Sequence, residues 1–174
     1  MHAPARTLPA QRGFIDLTML FVLICLAIGI GYALYNGGAL LSSSDISNEQ
    51  SNIAQLMANT RKLKGSNGYG TSGTNLVDQL VASKGLPNMS VSGGMLFNAW
   101  NGTVSVTSGG MTFTVTENGL PIDACMTLAT KVSRGPKVST SINGAATVSG
   151  EVSAAAAAAS CTDADTNSVA WTVY

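Results

Sequence analysis

Apolar positions fall into three successive patterns along the chain. From Leu17 to Tyr35 they are almost continuous, from Ile46 to Leu63 they recur at helical spacing, and beyond Gly65 they alternate in short runs broken by glycine, serine and asparagine. The first pattern has the length of a membrane-spanning helix, which needs about 20 apolar residues. Gly29 and Gly31 lie inside it and Gly37-Gly38 follow its end. Each lowers helix propensity by about 1 kcal/mol relative to alanine, yet lipid tolerates them because an unpaired backbone group there costs more. They become candidate points of unwinding once the helix leaves lipid. In the second pattern Ile46, Ile53, Leu56, Met57, Thr60 and Leu63 share one side, and Asn48, Glu49, Asn52 and Arg61 fall elsewhere. This predicts an amphipathic continuation ending at Lys62, Lys64 and Gly65. One helix over 14–64 would be on the order of 75 Å long, at a rise of about 1.5 Å per residue. Its first part, 14–36, is expected in the membrane and its second part along a domain.

The third pattern predicts a small antiparallel head over 65–174. Gly65 to Gly73 reads as a loop, and Thr74 as the cap of a short helix from Asn75 to Ser83. Pro87 and Gly93-Gly94 mark turns. Thr103 to Thr107 alternates; Ser108-Gly109-Gly110 turns the chain; Met111, Phe113 and Val115 then alternate with Thr112, Thr114 and Thr116. This is a hairpin with one apolar face. Pro121 opens a second helix that runs through Val132 and ends before Gly135-Pro136. Val138 to Ile142, an Asn143-Gly144 turn and Ala146 to Val148 suggest a second hairpin. The last strand, Val169 to Tyr174, places Val169, Trp171 and Val173 on one face, against the long helix. The run Ala154 to Ala159 is short and exposed-looking, so a surface loop or a single helical turn is expected there. Tyr69 reads as exposed, and Trp100 as a packing anchor. The fold class is α+β: a long N-terminal helix, half transmembrane and half amphipathic, packed on a small antiparallel sheet with a disulfide-bounded C-terminal region.

Composition narrows the function. Nine Lys and Arg balance nine Asp and Glu among 174 residues, so no dense basic patch proposes a nucleic-acid partner. The only histidine, His2, precedes the apolar run, which excludes a His-based triad beyond that run and leaves no zinc ligand set. Asp163-x-Asp165-x-Asn167 has the opening spacing of a calcium loop but lacks its glycine and distal glutamate; a polar turn before the last strand is the plainer reading. The glycine-rich segments fit no phosphate-binding fingerprint. No enzyme activity, cofactor or metal is expected. Arg6 and Arg12 precede the apolar run and the next basic residue is Arg61, so the N-terminus is expected in the cytoplasm and the rest outside. A secretory cleavage site would follow the apolar run, where Gly37-Gly38-Ala39 is the nearest and an unconvincing candidate. Cys25 lies within the run and behaves as a small apolar residue. That leaves Cys125 and Cys161 as a possible disulfide in an oxidising compartment. The alternative is two separate buried thiols.

A basic leader ending in Gly13, the hydrophobic Phe14, an uninterrupted helix and a C-terminal cysteine pair together resemble type IV pilins. The later pieces look most like the type IVb branch, and within it the thin-pilus major prepilins of conjugative plasmids. These pieces are Gln55 to Gly65 at the helix end, Asn98-Ala99-Trp100-Asn101-Gly102 before a strand, Leu120-Pro121-x-x-Ala124-Cys125 opening a helix, and Cys161 followed by a final strand. The resemblance spans nearly the whole chain. It implies a leader over 1–13, cleavage between Gly13 and Phe14 by a prepilin peptidase, and N-methylation of Phe14. It further implies an inner-membrane precursor and assembly, by a platform and a cytoplasmic ATPase, into an extracellular homo-oligomeric filament for conjugation, cell contact or adhesion. Two departures stand out. The leader is shorter than many of the type IVb branch. The family usually carries glutamate at the fifth mature position, where this chain has Thr18; the nearby acid is Asp16. In the family that glutamate meets the amine of a neighbouring subunit's first residue, a role open to Asp16; alternatively Asp16 is simply hydrated at the interface. Two other readings follow: a minor pilin or pseudopilin that primes or caps a filament, and a signal-anchored periplasmic binding module that does not polymerise.

Overall fold

The computed structural model of the chain describes residues 17–135 and 137–174, with backbone alone at residues 17 and 33–42. The chain divides into two units, Met1–Leu41 and Ser42–Tyr174. Helix α1, Leu17–Arg61, supplies residues to both, and its backbone stays helical at Gly29, Gly31, Gly37 and Gly38.

In the first unit, α1 exposes apolar side chains on every side. Phe21, Ile28 and Tyr32 are 68%, 67% and 72% exposed, and Val22, Leu23 and Ile24 are comparably open. Cys25 is an exposed free thiol. Among the described residues no helix is long and apolar enough to cross a membrane. Gly13, Phe14 and Asp16 lie outside the described residues, as does the leader.

In the second unit, α1 contributes a buried stripe of Ile46, Glu49, Ile53, Leu56, Met57 and Thr60. The expected apolar side is present with one correction: Glu49, placed elsewhere by the polarity pattern, is only 2% exposed. The spacing explains it, because residue 49 lies three after Ile46 and four before Ile53, on the same face. The helix stops at Arg61 rather than Lys64. Gly65 and Gly68 exchange backbone hydrogen bonds of 2.9 and 3.1 Å, which reverses the chain there.

The stripe joins one core with a seven-stranded antiparallel sheet. Its strands are β1 Ser90–Ser92, β2 Met95–Phe97, β3 Thr103–Ser108, β4 Phe113–Leu120, β5 Val138–Ile142, β6 Val148–Ser149 and β7 Asn167–Val173, in the order β1-β2-β3-β4-β7-β5-β6. The first expected hairpin forms as β3 and β4; the second forms with a shorter return strand, β6 pairing through Ser139 with Ser149 and Thr140 with Val148 and leaving Ala146 outside it. Asn143 and Gly144 both take positive φ, 50° and 72°, in a tight turn closed by the Ala145 N–H on the Ile142 carbonyl at 2.8 Å. The final strand lies inside the sheet, paired with β4 on one side and β5 on the other. Val169, Trp171 and Val173 are fully buried, contributing on the order of 2 kcal/mol each. Met111 is displaced from its expected strand position: it sits 58% exposed in the turn, and β4 starts at Phe113.

Three further expectations are corrected. Tyr69 is buried, its ring meeting the Phe113 ring edge-on at 5.0 Å, because the 65–68 reversal folds it inward. Helix α2 is Val77–Ala82; its cap position is Leu76 rather than Thr74, with no side-chain capping bond, and Asn75 Oδ1 just before it accepts from the Val77 N–H at 3.0 Å. The alanine run forms α4, Ala154–Ser160, longer than a single turn. The side chain of Ser153 caps it by accepting from the Ala156 N–H at 3.2 Å. Its buried Ala157 belongs to the core shared with α3, Ile122–Val132. Tertiary packing supplies what so short a helix lacks alone.

Candidate functional site

The polar chemistry of the second unit concentrates where α1 meets the turn between β2 and β3. Residues 98–102 form that turn. Asn98 is 6% exposed, and its Oδ1 accepts from the N–H groups of Trp100 at 3.1 Å and Gly102 at 2.7 Å. Its Nδ2 donates to the Asn118 carbonyl at 2.9 Å and to Oε1 of Glu117 at 3.1 Å. Asn101 takes a positive φ of 60°, a conformation asparagine accepts more readily than most residues. Trp100 packs partly buried against the core.

Glu117 continues the inward alternation of Phe113 and Val115 along β4 and is fully buried. Across from it, Glu49 accepts at Oε2 from the Ala99 N–H at 3.3 Å. Burial raises the pKa of Glu117 far above the ordinary carboxylate range; the adjacent charge of Glu49 pushes the same way, and Asn98 opposes. Burial also raises Glu49, opposed by the Ala99 N–H and by hydrogen bonds from Asn52 and Glu117. Oε1 of Glu49 and Oε2 of Glu117 are buried without a hydrogen-bond partner. Two carboxyls in one low-dielectric site resist being charged together, which is the physical cause of the raised values. The pair joins α1 to the sheet.

Beside Glu49 opens a cleft of about 440 Å³ whose polar lining includes Asp45, Asn48, Asn52, Asn88, Ser90 and Asn98. Its amides, hydroxyls and carboxyls can form hydrogen bonds. Among the described residues no cluster of three His, Cys, Asp or Glu is placed to hold a metal. The calcium-like spacing at Asp163 and Asp165 does not close on Asn167. That side chain turns inward, donating to the carbonyls of Leu120, Thr162 and Ala164 at 3.0, 2.9 and 2.7 Å.

Cys125, in the first turn of α3, and Cys161, just after α4, are joined in a disulfide with Cα atoms 6.1 Å apart. It encloses the β5–β6 hairpin and α4. Of the residues expected to direct assembly, Thr18 is exposed on α1; Phe14 and Asp16 lie outside the described residues. The structure brings Cys125 and Cys161 together. The carboxyl pair was not anticipated, although two signals for it exist: the i+3/i+4 position of Glu49, and the period-two position of Glu117 after Phe113 and Val115.

No curated protein matches the chain. A protein-family model described as PilS N terminal matches residues 43–174, more than half of the chain and nearly all of the second unit. The chain thus belongs to the PilS N-terminal family, a pilus-related family.

Proposed function

We propose that the chain is the structural subunit of a type IVb-like pilus, made as a prepilin in the inner membrane and polymerised into an extracellular filament. The observation that carries this reading is the first unit of α1. A helix that is apolar around its whole circumference needs a cover of lipid or other protein on all sides, and a bundle of identical helices supplies one. Family membership and the disulfide-closed second unit support the same reading. The subunit would act by assembly rather than by chemistry. A prepilin peptidase would cut between Gly13 and Phe14, the amine of Phe14 would be methylated, and Asp16 would neutralise that amine in a neighbouring copy. An assembly platform and its ATPase would drive polymerisation, and the filament would serve conjugation, cell contact or adhesion.

Thr18, standing where the family usually has glutamate, favours a second reading: a minor pilin or pseudopilin that primes or caps the filament. Intact and N-terminal mass spectrometry on filaments sheared from expressing cells separates the readings. A dominant chain beginning at N-methylated Phe14 supports the major subunit. The same chain at trace level supports the minor one. A chain retaining Met1 in the membrane overturns both.

A further inference from the structure

Four of the nine Lys and Arg residues meet at one groove of about 460 Å³ in the second unit. Arg61 ends α1, Lys131 lies in the last turn of α3, Arg134 follows that helix and Lys137 precedes β5; all four are exposed. Met57 and Val138 form an apolar floor, and no carboxylate is among the described residues that line the groove. Such a groove suits an anion that also offers a small apolar group.

The segment 162–166 has that character. Its five residues are all exposed and read Thr-Asp-Ala-Asp-Thr. It is also held in place. The buried Asn167 side chain accepts from the Thr162 N–H at 2.8 Å and donates to the Thr162 and Ala164 carbonyls. A loop fixed before binding loses little further freedom on docking.

Groove and loop lie at opposite ends of β7. Val138, on the groove floor, pairs with Val173, whereas the loop immediately precedes Asn167, which pairs with Leu120. At about 3.3 Å per residue the strand separates them by about 20 Å, so the loop cannot reach the groove of its own chain. We propose that the groove receives the 162–166 loop of a second copy, with Asp163 and Asp165 against its cations and Ala164 on its floor. The contact joins two different surfaces, so it propagates from copy to copy and does not close on itself as a two-fold dimer would. The inference rests on the filament-subunit reading and deepens it by naming which surfaces meet.

Carbodiimide cross-linking of sheared filaments, followed by peptide mass spectrometry, tests the contact. The expected product is an amide, formed with loss of water, between Lys131 or Lys137 of one copy and Asp163 or Asp165 of another. In parallel, Lys131→Glu with Lys137→Glu places like charges in contact and is expected to lower filament yield at least about tenfold. Adding Asp163→Lys and Asp165→Lys to the same chain is expected to restore it. All four positions are exposed, and an intact Cys125–Cys161 bond checks that the variants fold. Normal filaments from the Lys131→Glu/Lys137→Glu chain, together with no such cross-link in filaments of the unaltered chain, would overturn the docking and leave the subunit reading standing. Loss of adsorption to phosphatidylglycerol vesicles by those normal filaments would assign the groove to a polyanion instead. Failure of the processed unaltered chain to form filaments would overturn both.

Discussion

Asn98 and Glu117, 19 residues apart, share a buried hydrogen bond of 3.1 Å from Nδ2 to Oε1. Through it the β2–β3 turn, the β4 strand and, by way of Glu49, helix α1 are tied at one polar point inside an otherwise apolar core. Polar points of this kind are costly when incomplete, because each partner left alone keeps its full desolvation penalty.

The carboxyl pair makes stability depend on pH. Folding raises the pKa of Glu117 above its ordinary value of 4.5, so the folded chain holds a proton that the unfolded chain releases. The contribution is complete below about pH 4.5 and declines as pH rises toward the folded pKa, by at most about 1.4 kcal/mol per pH unit. Glu117→Gln keeps a donor toward Glu49 without a titrating proton. Melting temperatures of the full chain in detergent at pH 5 and pH 8.5 should differ for the unaltered protein, and the difference should shrink in the variant. Equal differences in both would show that Glu117 does not carry the pH dependence.

Gly102 allows the 98–102 turn to lie against β4. A Cβ added there would overlap the Asn118 carbonyl, with Asn98 Nδ2 also close. Backbone cannot move aside cheaply, so Gly102→Ala should destabilise the second unit by about 3 kcal/mol or more. Chemical denaturation measures this. Gly70→Ala provides a comparison with open space around the added carbon, although its φ of 97° also disfavours a side chain.

The Cys125–Cys161 bond spans a sequence separation of 36, for which the loop-entropy relation gives about 4 kcal/mol. Replacing both cysteines with serine should lower unfolding free energy by about 2–4 kcal/mol and lead to earlier proteolysis between residues 133 and 160. Denaturation midpoints with and without reductant check it: the unaltered protein should lose stability in reductant and the double variant should not respond.

Asn167→Ala would remove donors from the Leu120, Thr162 and Ala164 carbonyls and the acceptor for Thr162. A loss of about 2–3 kcal/mol is expected. Faster amide hydrogen exchange confined to 162–166 and the start of β7 would show that this side chain holds the loop. Unchanged exchange there would refute it.

Much of the fold was legible because its signals are local. Phe113 and Val115 announce a strand by alternation, Asn143-Gly144 announces a tight turn, and Val169, Trp171 and Val173 announce a buried face. What escaped is non-local. Glu49 and Glu117 are polar by type and become interior only because α1, the β2–β3 turn and β4 come together in the core. The short β1–β2 hairpin has too few residues for a period to register. The alanine run becomes α4 only when α3 and the disulfide lie beside it.

By itself, the sequence determined the α+β class, the amphipathic stripe from Ile46 to Thr60, the hairpins and the cysteine pair, because periodicity, turn chemistry and cysteine count act over neighbouring residues. Only the tertiary structure decided that β7 lies between β4 and β5, that two carboxyls are buried beside a polar cleft, and that cations from α1, the end of α3 and the start of β5 meet in one groove. Those facts depend on which surfaces the folded chain brings together across many residues, and charge and burial take their meaning from that company.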